Sequence, residues 1–224
     1  MWFLQPSMTI PGVIMTILSM LMIIFLVLPL HECAHGWVAS KLGDTTARFS
    51  GRLTLNPLSH IDPFGAVALL LFGFGWAKPV PINPRNFKNP KAGMAITALA
   101  GPVSNLLAAF VGALLYQVVL LASGSMSQQV FGWVSVFFIQ FVSINIGLAV
   151  FNLIPLPPLD GSKILGAFLP DRILYKFYQY ETYIMLGVFV LLFTGILSRP
   201  LNYIESYLFT FVMRLAAWPF QLFL

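Results

Sequence analysis

Charged residues are scarce in this 224-residue chain: 8% of the residues are Asp, Glu, Lys or Arg, whereas 58% are hydrophobic. Soluble domains carry about 25% charged residues. The stretches 1–30 and 92–159 contain no charged residue at all. A chain of this length cannot bury so much apolar surface in water, which excludes a soluble globular protein. We expect one membrane-embedded domain over residues 1–224, with the lipid bilayer as its surroundings.

Cysteine and net charge exclude two further possibilities. Cys33 is the chain's only cysteine, so no internal disulfide can form. The formal net charge is +5, which is too small and too scattered for a nucleic-acid-binding surface. We therefore expect no nucleic-acid partner, and we use the basic residues to assign membrane topology.

Several hydrophobic stretches are long enough, or nearly long enough, to cross a bilayer as helices. They are residues 8–30, 92–122, 130–153, 182–197 and 201–224. The last contains Glu205 and Arg214, so it can either span the membrane or lie along its interface. The sequence predicts an all-α polytopic membrane protein with about five or six hydrophobic helices.

Residues 63–77 are short for a crossing, and the charges on either side indicate their path. A crossing would place the basic segments 41–62 and 78–91 on opposite sides, although basic loops tend to remain in the cytoplasm. A segment that enters and returns keeps both in the cytoplasm, together with the basic loop 163–181. We therefore predict a re-entrant segment at 63–77 and an N-terminus outside the cell.

An HExxH motif, residues 31–35, ends the first hydrophobic stretch. Residues four apart on a helix differ by about 40° around its axis, so His31 and His35 project together and can bind one metal. Two imidazoles suit zinc. Glu32 lies about 100° from His31, which suits a base near the metal better than a ligand. The alternative is that these groups only mark a helix leaving the membrane. That alternative does not explain why three ionisable side chains stand at the end of a long uncharged span, where they are energetically costly.

Asp160 is the candidate for a third metal ligand. It is the first charged residue after the stretch 92–159, and it follows a helix end broken by three prolines. Irregular backbone at membrane depth is tolerated only where it is buried in protein or lines a watery cavity. On the predicted topology, Asp160 emerges on the same side as the two histidines. The alternative is an ordinary turn at Asp160-Gly161.

These motifs resemble the site-2 protease family of intramembrane zinc metalloproteases. The resemblance rests on the HExxH motif, on residues 152–161 (Asn-x-x-Pro followed by Leu-Asp-Gly), on residues 101–105 (Gly-Pro-Val-Ser-Asn), and on segments of 52–63 and 77–81. It covers roughly residues 10–165, the predicted catalytic core, and leaves 166–224 as C-terminal helices. The chain resembles a compact form, without the PDZ domain that many relatives insert before the Gly101 motif.

The resemblance implies that His31, His35 and Asp160 bind one Zn²⁺ per chain and that Glu32 activates water. It implies a substrate that is a single-pass transmembrane protein or a membrane peptide, cut within the bilayer in regulated intramembrane proteolysis. It also implies a bacterial or archaeal cell-membrane protein. With the predicted topology, the active site faces the cytoplasm. The sequence does not indicate an oligomeric state.

Two asparagines are candidate catalytic donors. An oxyanion that develops during peptide hydrolysis needs neutral hydrogen-bond donors nearby. Asn152 and Asn105 suit this role because an uncharged amide costs less in a membrane than Arg or Lys. The alternative is that they form hydrogen bonds between spanning helices.

The proline-rich residues 78–84 suggest a substrate-binding edge. In an extended chain, Pro79 and Pro81 remove N–H donors from one edge and leave those of Val80 and Ile82 on the other. An unwound substrate could pair there as an added strand, next to a small β-hairpin over residues 45–55. The alternative is a proline-stiffened surface loop.

Two other functions use the same residues. A metal transporter or sensor would need the ligands but not Glu32. An inactive relative could serve as a membrane scaffold, but the intact set of ligands and base argues against that function.

Overall fold

The computed structural model describes residues 10–72 and 77–221 of the chain. Within these ranges the elements are α-helices and short helical turns, with no strand. The helices are α1 (Ile10–Met22), α2 (Leu28–Lys41), α3 (Thr46–Phe49), α4 (Pro63–Phe72), α5 (Pro90–Leu121), α6 (Gln128–Asn152), α7 (Asp160–Gly166), α8 (Asp171–Gln179), α9 (Glu181–Phe193) and α10 (Ser198–Ala217). The all-helical prediction is confirmed for the described residues.

Three helices in the described residues are long and apolar enough to cross a membrane: Ile10–Lys41, Pro90–Leu121 and Gln128–Asn152. The chain is thus a multi-pass membrane protein. The predicted count of five or six hydrophobic spans is not confirmed. Helix α9 has 13 residues, or about 20 Å, and falls short of a hydrocarbon core of about 30 Å.

A π-helical turn, Ile23–Val27, joins α1 to α2 within the first spanning helix. The Leu28 N–H bonds to the Ile23 carbonyl, five residues back. Pro29 explains this widened turn, because it has no N–H and its ring clashes with the carbonyl four residues earlier in a regular helix. The helix continues without a break through the HExxH motif, which lies inside the long helix rather than at its end.

Helix α5 packs between α2 and α6. Small side chains on α5, Ala109 and Ala113, are fully buried against Val142 and Ile146 of α6. Small residues allow close approach of helices in a membrane, where dispersion and shape rather than water exclusion hold them together. The close packing brings the first half of α5 against the HExxH motif.

Both ends of the predicted re-entrant segment lie side by side. Ile61 and Ala77 form an isolated antiparallel bridge, and the Lys78 N–H donates to the His60 carbonyl at 2.8 Å. Helix α4 has 10 residues, about 15 Å, which is too short for a crossing. Residues 73–76 of the segment lie outside the described ranges. The meeting of the two ends supports the re-entrant prediction.

The predicted β-hairpin over residues 45–55 is not formed. Residues 46–49 make a single helical turn instead, and the chain reverses at Gly51, whose φ is +67°. The reason lies in Asp44, whose Oδ1 accepts the Thr46 N–H at 3.1 Å. That local hydrogen bond favours a helical turn over an extended strand.

Candidate metal centre and active site

Three predicted ligands converge between α2 and α7. His31 Nε2 and His35 Nε2 are 3.1 Å apart. Asp160 Oδ2 lies 3.3 Å from the first and 3.2 Å from the second. All three residues are buried, each about 5% exposed. We call these three donor atoms the metal triangle.

The metal triangle fits zinc. Zinc bonds of about 2.0–2.1 Å in tetrahedral geometry place ligand atoms about 3.3 Å apart, which matches the three separations. Gly101 of α5 lies directly against the triangle, because a Cβ there would collide with the rings of both histidines. Two nitrogens and one carboxylate oxygen leave a fourth position for water or substrate, as in catalytic zinc sites.

His35 is oriented by the backbone of α5. Its Nδ1 donates to the Thr97 carbonyl at 2.7 Å, which directs Nε2 at the metal triangle and makes it the nitrogen that would bind a metal. His31 Nδ1 is buried and has no hydrogen-bond partner in the described residues. The contribution of Thr97 could not be predicted from the sequence, because every residue carries a carbonyl group and no side-chain type marks this one.

Asp160 is held at the start of α7. A Cβ at Gly161 would collide with the carbonyl oxygens of Leu153 and Ile154, so glycine allows the irregular segment before α7 to pack against its first turn. Burial alone raises the pKa of the Asp160 carboxyl, but hydrogen bonds from the two histidines and the charge of Lys163, at 3.1 Å, lower it overall. Asp160 is therefore an anion, as a metal ligand must be.

Glu32 lies outside the metal triangle. The group of possible ligands contains the two histidines and Asp160 but not Glu32. Its Oε2 accepts the Val80 N–H at 2.9 Å, so the side chain is held by the segment that precedes α5. This arrangement supports the prediction of a base rather than a ligand.

The two asparagines differ in their surroundings. Asn105 of α5 is 1% exposed, and neither its Oδ1 nor its Nδ2 has a partner in the part of the chain that the structure describes. Asn152 donates to the Leu148 carbonyl of its own helix at 2.9 Å. Within the ranges that the structure describes, neither makes a hydrogen bond between helices, which was the alternative. A buried, unpartnered amide is costly unless it has a ligand, which favours Asn105 as the donor.

The substrate-binding prediction changes at Val80. Its N–H donates to Glu32, so that donor is not available to a substrate strand as predicted. The N–H of Ile82 has no such bond in the described residues. Residues 78–83 contain no strand, and only the Ile82 part of the prediction remains.

Comparisons with known proteins identify the family. The model for "Peptidase family M50" matches residues 19–194. This chain belongs to peptidase family M50. That result confirms the resemblance to the site-2 proteases, and the matched range contains the whole metal triangle and Glu32.

The relatives of this chain include bacterial proteins described as "Putative zinc metalloprotease". YwhC of Bacillus subtilis is 46% identical over 165 residues, which cover 73% of this chain and 74% of that protein. Rip2 of Mycolicibacterium smegmatis is 30% identical over 175 residues, covering 76% of this chain and 64% of that protein. No solved structure matches the chain. The M50 assignment and the metal triangle together confirm zinc as the predicted cofactor and metalloprotease as the class of enzyme.

Proposed function

We propose that this M50 protein is an intramembrane zinc endopeptidase that hydrolyses peptide bonds in transmembrane-helix substrates, in regulated intramembrane proteolysis. One observation carries the proposal. His31 and His35 lie within the spanning helix Ile10–Lys41, and Gly101, which touches both rings, lies within the spanning helix Pro90–Leu121. A metal bound between two spanning helices acts on substrates that reach it from the bilayer.

His31, His35 and Asp160 would hold the zinc, which when bound supplies a Lewis acid that polarises a peptide carbonyl and makes water more acidic. Glu32 would accept a proton from water as the water oxygen bonds to the carbonyl carbon. Glu32 would then return that proton to the amide nitrogen as the C–N bond breaks. Oε2 of Glu32 is held by Val80, so we assign proton transfer to Oε1, to which the described residues offer no hydrogen bond.

Asn105 and Asn152 would stabilise the charge that develops on the carbonyl oxygen. Asn105 is the stronger candidate, because its side-chain amide is buried and has no hydrogen-bond partner in the described ranges. The N–H of Ile82 would pair with an unwound substrate strand near the base. Both roles require the substrate to lose its helical hydrogen bonds before it reaches the metal.

The active site would open towards the cytoplasm. Basic residues of segments 41–91 and 163–176 follow the ends of spanning helices on the side where α2 ends. The positive-inside rule assigns that side to the cytoplasm. The juxtaposition of Ile61 and Ala77 supports this topology, since a returning segment keeps all of 41–91 on one side.

The deciding experiment compares wild type, Glu32→Gln and Glu181→Gln in detergent with a model transmembrane substrate, with and without a chelator. We expect Glu32→Gln to retain zinc and to lose about 10²–10⁴-fold in kcat, the usual range for general-base catalysis. Glu181→Gln, at the start of α9, is the matched control and keeps full activity. Full cleavage by Glu32→Gln would refute the assigned base. Chelator-sensitive zinc flux into vesicles without any cleavage would favour a transporter instead.

A further inference from the structure

The segment of residues 78–83 lies between the re-entrant segment and α5, and its few N–H groups bond to three different parts of the protein. Pro79 and Pro81 have no N–H. Lys78 donates to the His60 carbonyl at 2.8 Å, Val80 donates to Glu32 Oε2 at 2.9 Å, and Asn83 donates to Asp44 Oδ2 at 2.7 Å. The central contact, at Val80, is the one that reaches the proposed base.

Arg52 anchors the first half of this segment. Its Nη2 donates to the Lys78 carbonyl at 2.7 Å and to the Pro79 carbonyl at 3.3 Å. Hydrogen bonds from a charged guanidinium are about twice as strong as neutral ones. Pro79 offers no N–H, so its carbonyl is its only backbone group for a hydrogen bond. Arg52 therefore fixes the backbone immediately before Val80.

Asp44 anchors the second half. It is 0% exposed, and besides the Asn83 N–H it accepts the side-chain amide of Asn86 at 2.7 Å. The remaining capacity of the carboxylate is taken by the N–H and hydroxyl of Thr46. A fully buried carboxylate bonded at both ends of the 83–86 turn fixes the backbone that follows Val80.

Val80 has little freedom between these anchors. Pro79 and Pro81 fix φ on either side of it at about −65°. Its side chain is 6% exposed and packs beside Gly36 of α2, where a Cβ would lie 3.3 Å from Val80 Cγ1. The Val80 N–H is thus directed at Glu32 by the Arg52 contacts before it in the chain, by the Asp44 contacts after it, and by the packing of its own side chain beside Gly36.

We propose that Arg52 and Asp44 are positioning residues for the base: they hold residues 78–83 so that the Val80 N–H fixes the orientation of the Glu32 carboxylate. The inference rests on the proposed role of Glu32 in proton transfer. A displacement of about 1 Å in a catalytic group can cost about 100-fold in rate. None of the contacts that either anchor makes in the described residues reaches the metal triangle, so their effect on Glu32 would pass through residues 78–83.

Kinetics of the purified full chain test the positioning role. In Arg52→Ala we expect kcat to fall at least 10-fold on the model transmembrane substrate, with KM within twofold and zinc content unchanged. Arg52→Lys, which keeps one charged donor, should restore part of kcat. Arg48→Ala is the control, because Arg48 is exposed on the preceding helical turn. A rise in KM with unchanged kcat would overturn the proposal, because the anchors would then serve substrate binding.

Hydrogen exchange supplies a readout that does not depend on activity. Residues 78–83 contain four amides, and Arg52 bonds only to carbonyl oxygens, so its removal deprives none of them of a partner directly. We expect the Val80 amide to exchange at least 10-fold faster in Arg52→Ala, approaching the rate in Glu32→Ala. Unchanged exchange in Arg52→Ala, or in Arg52→Met if the first variant does not fold, would overturn the proposal.

The two proposals can fail separately. If Glu32→Gln still cleaves, the proposed role of Glu32 fails, whatever the exchange of Val80. If Glu32→Gln is inactive but Val80 stays protected and kcat is unchanged without Arg52, only the positioning role fails.

Discussion

Glu32 lies between the two parts of the site: it follows His31 of the metal triangle in sequence, and it accepts a hydrogen bond from residues 78–83. The metal triangle and residues 78–83 are held in place in different ways. The histidines are placed by a continuous helix, and α5 packs so closely that Gly101 has no room for a side chain. Residues 78–83 have no regular structure, and side chains distant in sequence, Arg52 and Asp44, hold their backbone. Close helix packing thus places the two histidine ligands, whereas polar contacts place the carboxylate of the proposed base.

The difference has a physical basis. Helix packing distributes its stabilisation over many small contacts, so its geometry resists the loss of any one polar group. A segment held by a few hydrogen bonds depends on each of them. We therefore expect variants of the triangle to alter zinc binding, and variants around residues 78–83 to alter turnover with zinc in place.

The variant Asn105→Ala tests whether α5, besides packing against the metal triangle, also carries a hydrogen-bond donor for the developing oxyanion. In Asn105→Ala we expect kcat to fall about 10²–10³-fold, the cost of losing one oxyanion donor, with zinc content unchanged. Asn145→Ala is the matched control, since Asn145 is as deeply buried but bonds to its own helix at Phe141. Loss of zinc from Asn105→Ala would mean that the amide supports a metal ligand rather than the developing charge.

Gly101→Ala tests whether helix packing determines the geometry of the metal triangle. The added Cβ would collide with the rings of His31 and His35, so we expect zinc affinity to fall about 10–100-fold, as when the groups that orient metal ligands are lost. Titration against a competing chelator measures the affinity. Gly132→Ala in α6, where a Cβ meets nothing within 4 Å, should leave it unchanged. Equal affinity in both variants would show that helix packing does not determine the triangle's geometry.

The metal triangle could be predicted from the sequence because its information is local. The HExxH spacing places His31 and His35 on one helix face, and Asp160 is conspicuous as a charge after a long uncharged stretch. The family resemblance also singled out Gly101, although not its contact with the histidines. Helix periodicity and charge placement carry this part of the fold.

The arrangement around residues 78–83 could not be predicted, because it depends on contacts between residues distant in sequence. The extended prediction for 78–84 placed the Val80 N–H on an open edge, and nothing local indicates that Glu32, 48 residues earlier, accepts it. The local hydrogen bond from Thr46 to Asp44, which replaces the predicted hairpin with a helical turn, could have been recognised as an Asx turn.

Asp44→Asn is the smallest change, and it tests whether the charge of one buried side chain holds residues 78–83. Burial alone raises the pKa of the Asp44 carboxyl, but hydrogen bonds from Thr46, Asn83 and Asn86 lower it overall. Hydrogen bonds to a charged group contribute about 1.5–3 kcal/mol. We therefore expect the Asn83 amide to lose about 10–100-fold in exchange protection in Asp44→Asn at neutral pH. Asp62→Asn, which affects a carboxylate bonded to Gly65 at the start of α4, is the control.

The pH dependence of Asn83 protection shows whether the charged form of Asp44 holds the segment. A carboxyl whose pKa is lower in the folded protein stabilises the fold above its unfolded pKa of about 3.9, and that stabilisation is lost as the pH falls through the lower folded value. In wild type, Asn83 protection, corrected for intrinsic exchange, should therefore hold at pH 5 and decline below about pH 4. In Asp44→Asn it should be low throughout and lack this step. A wild-type profile without the step would mean that the backbone of the 83–86 turn, rather than the Asp44 charge, holds the segment. Residues 78–83 would then, like the metal triangle, keep their geometry without depending on any one polar group.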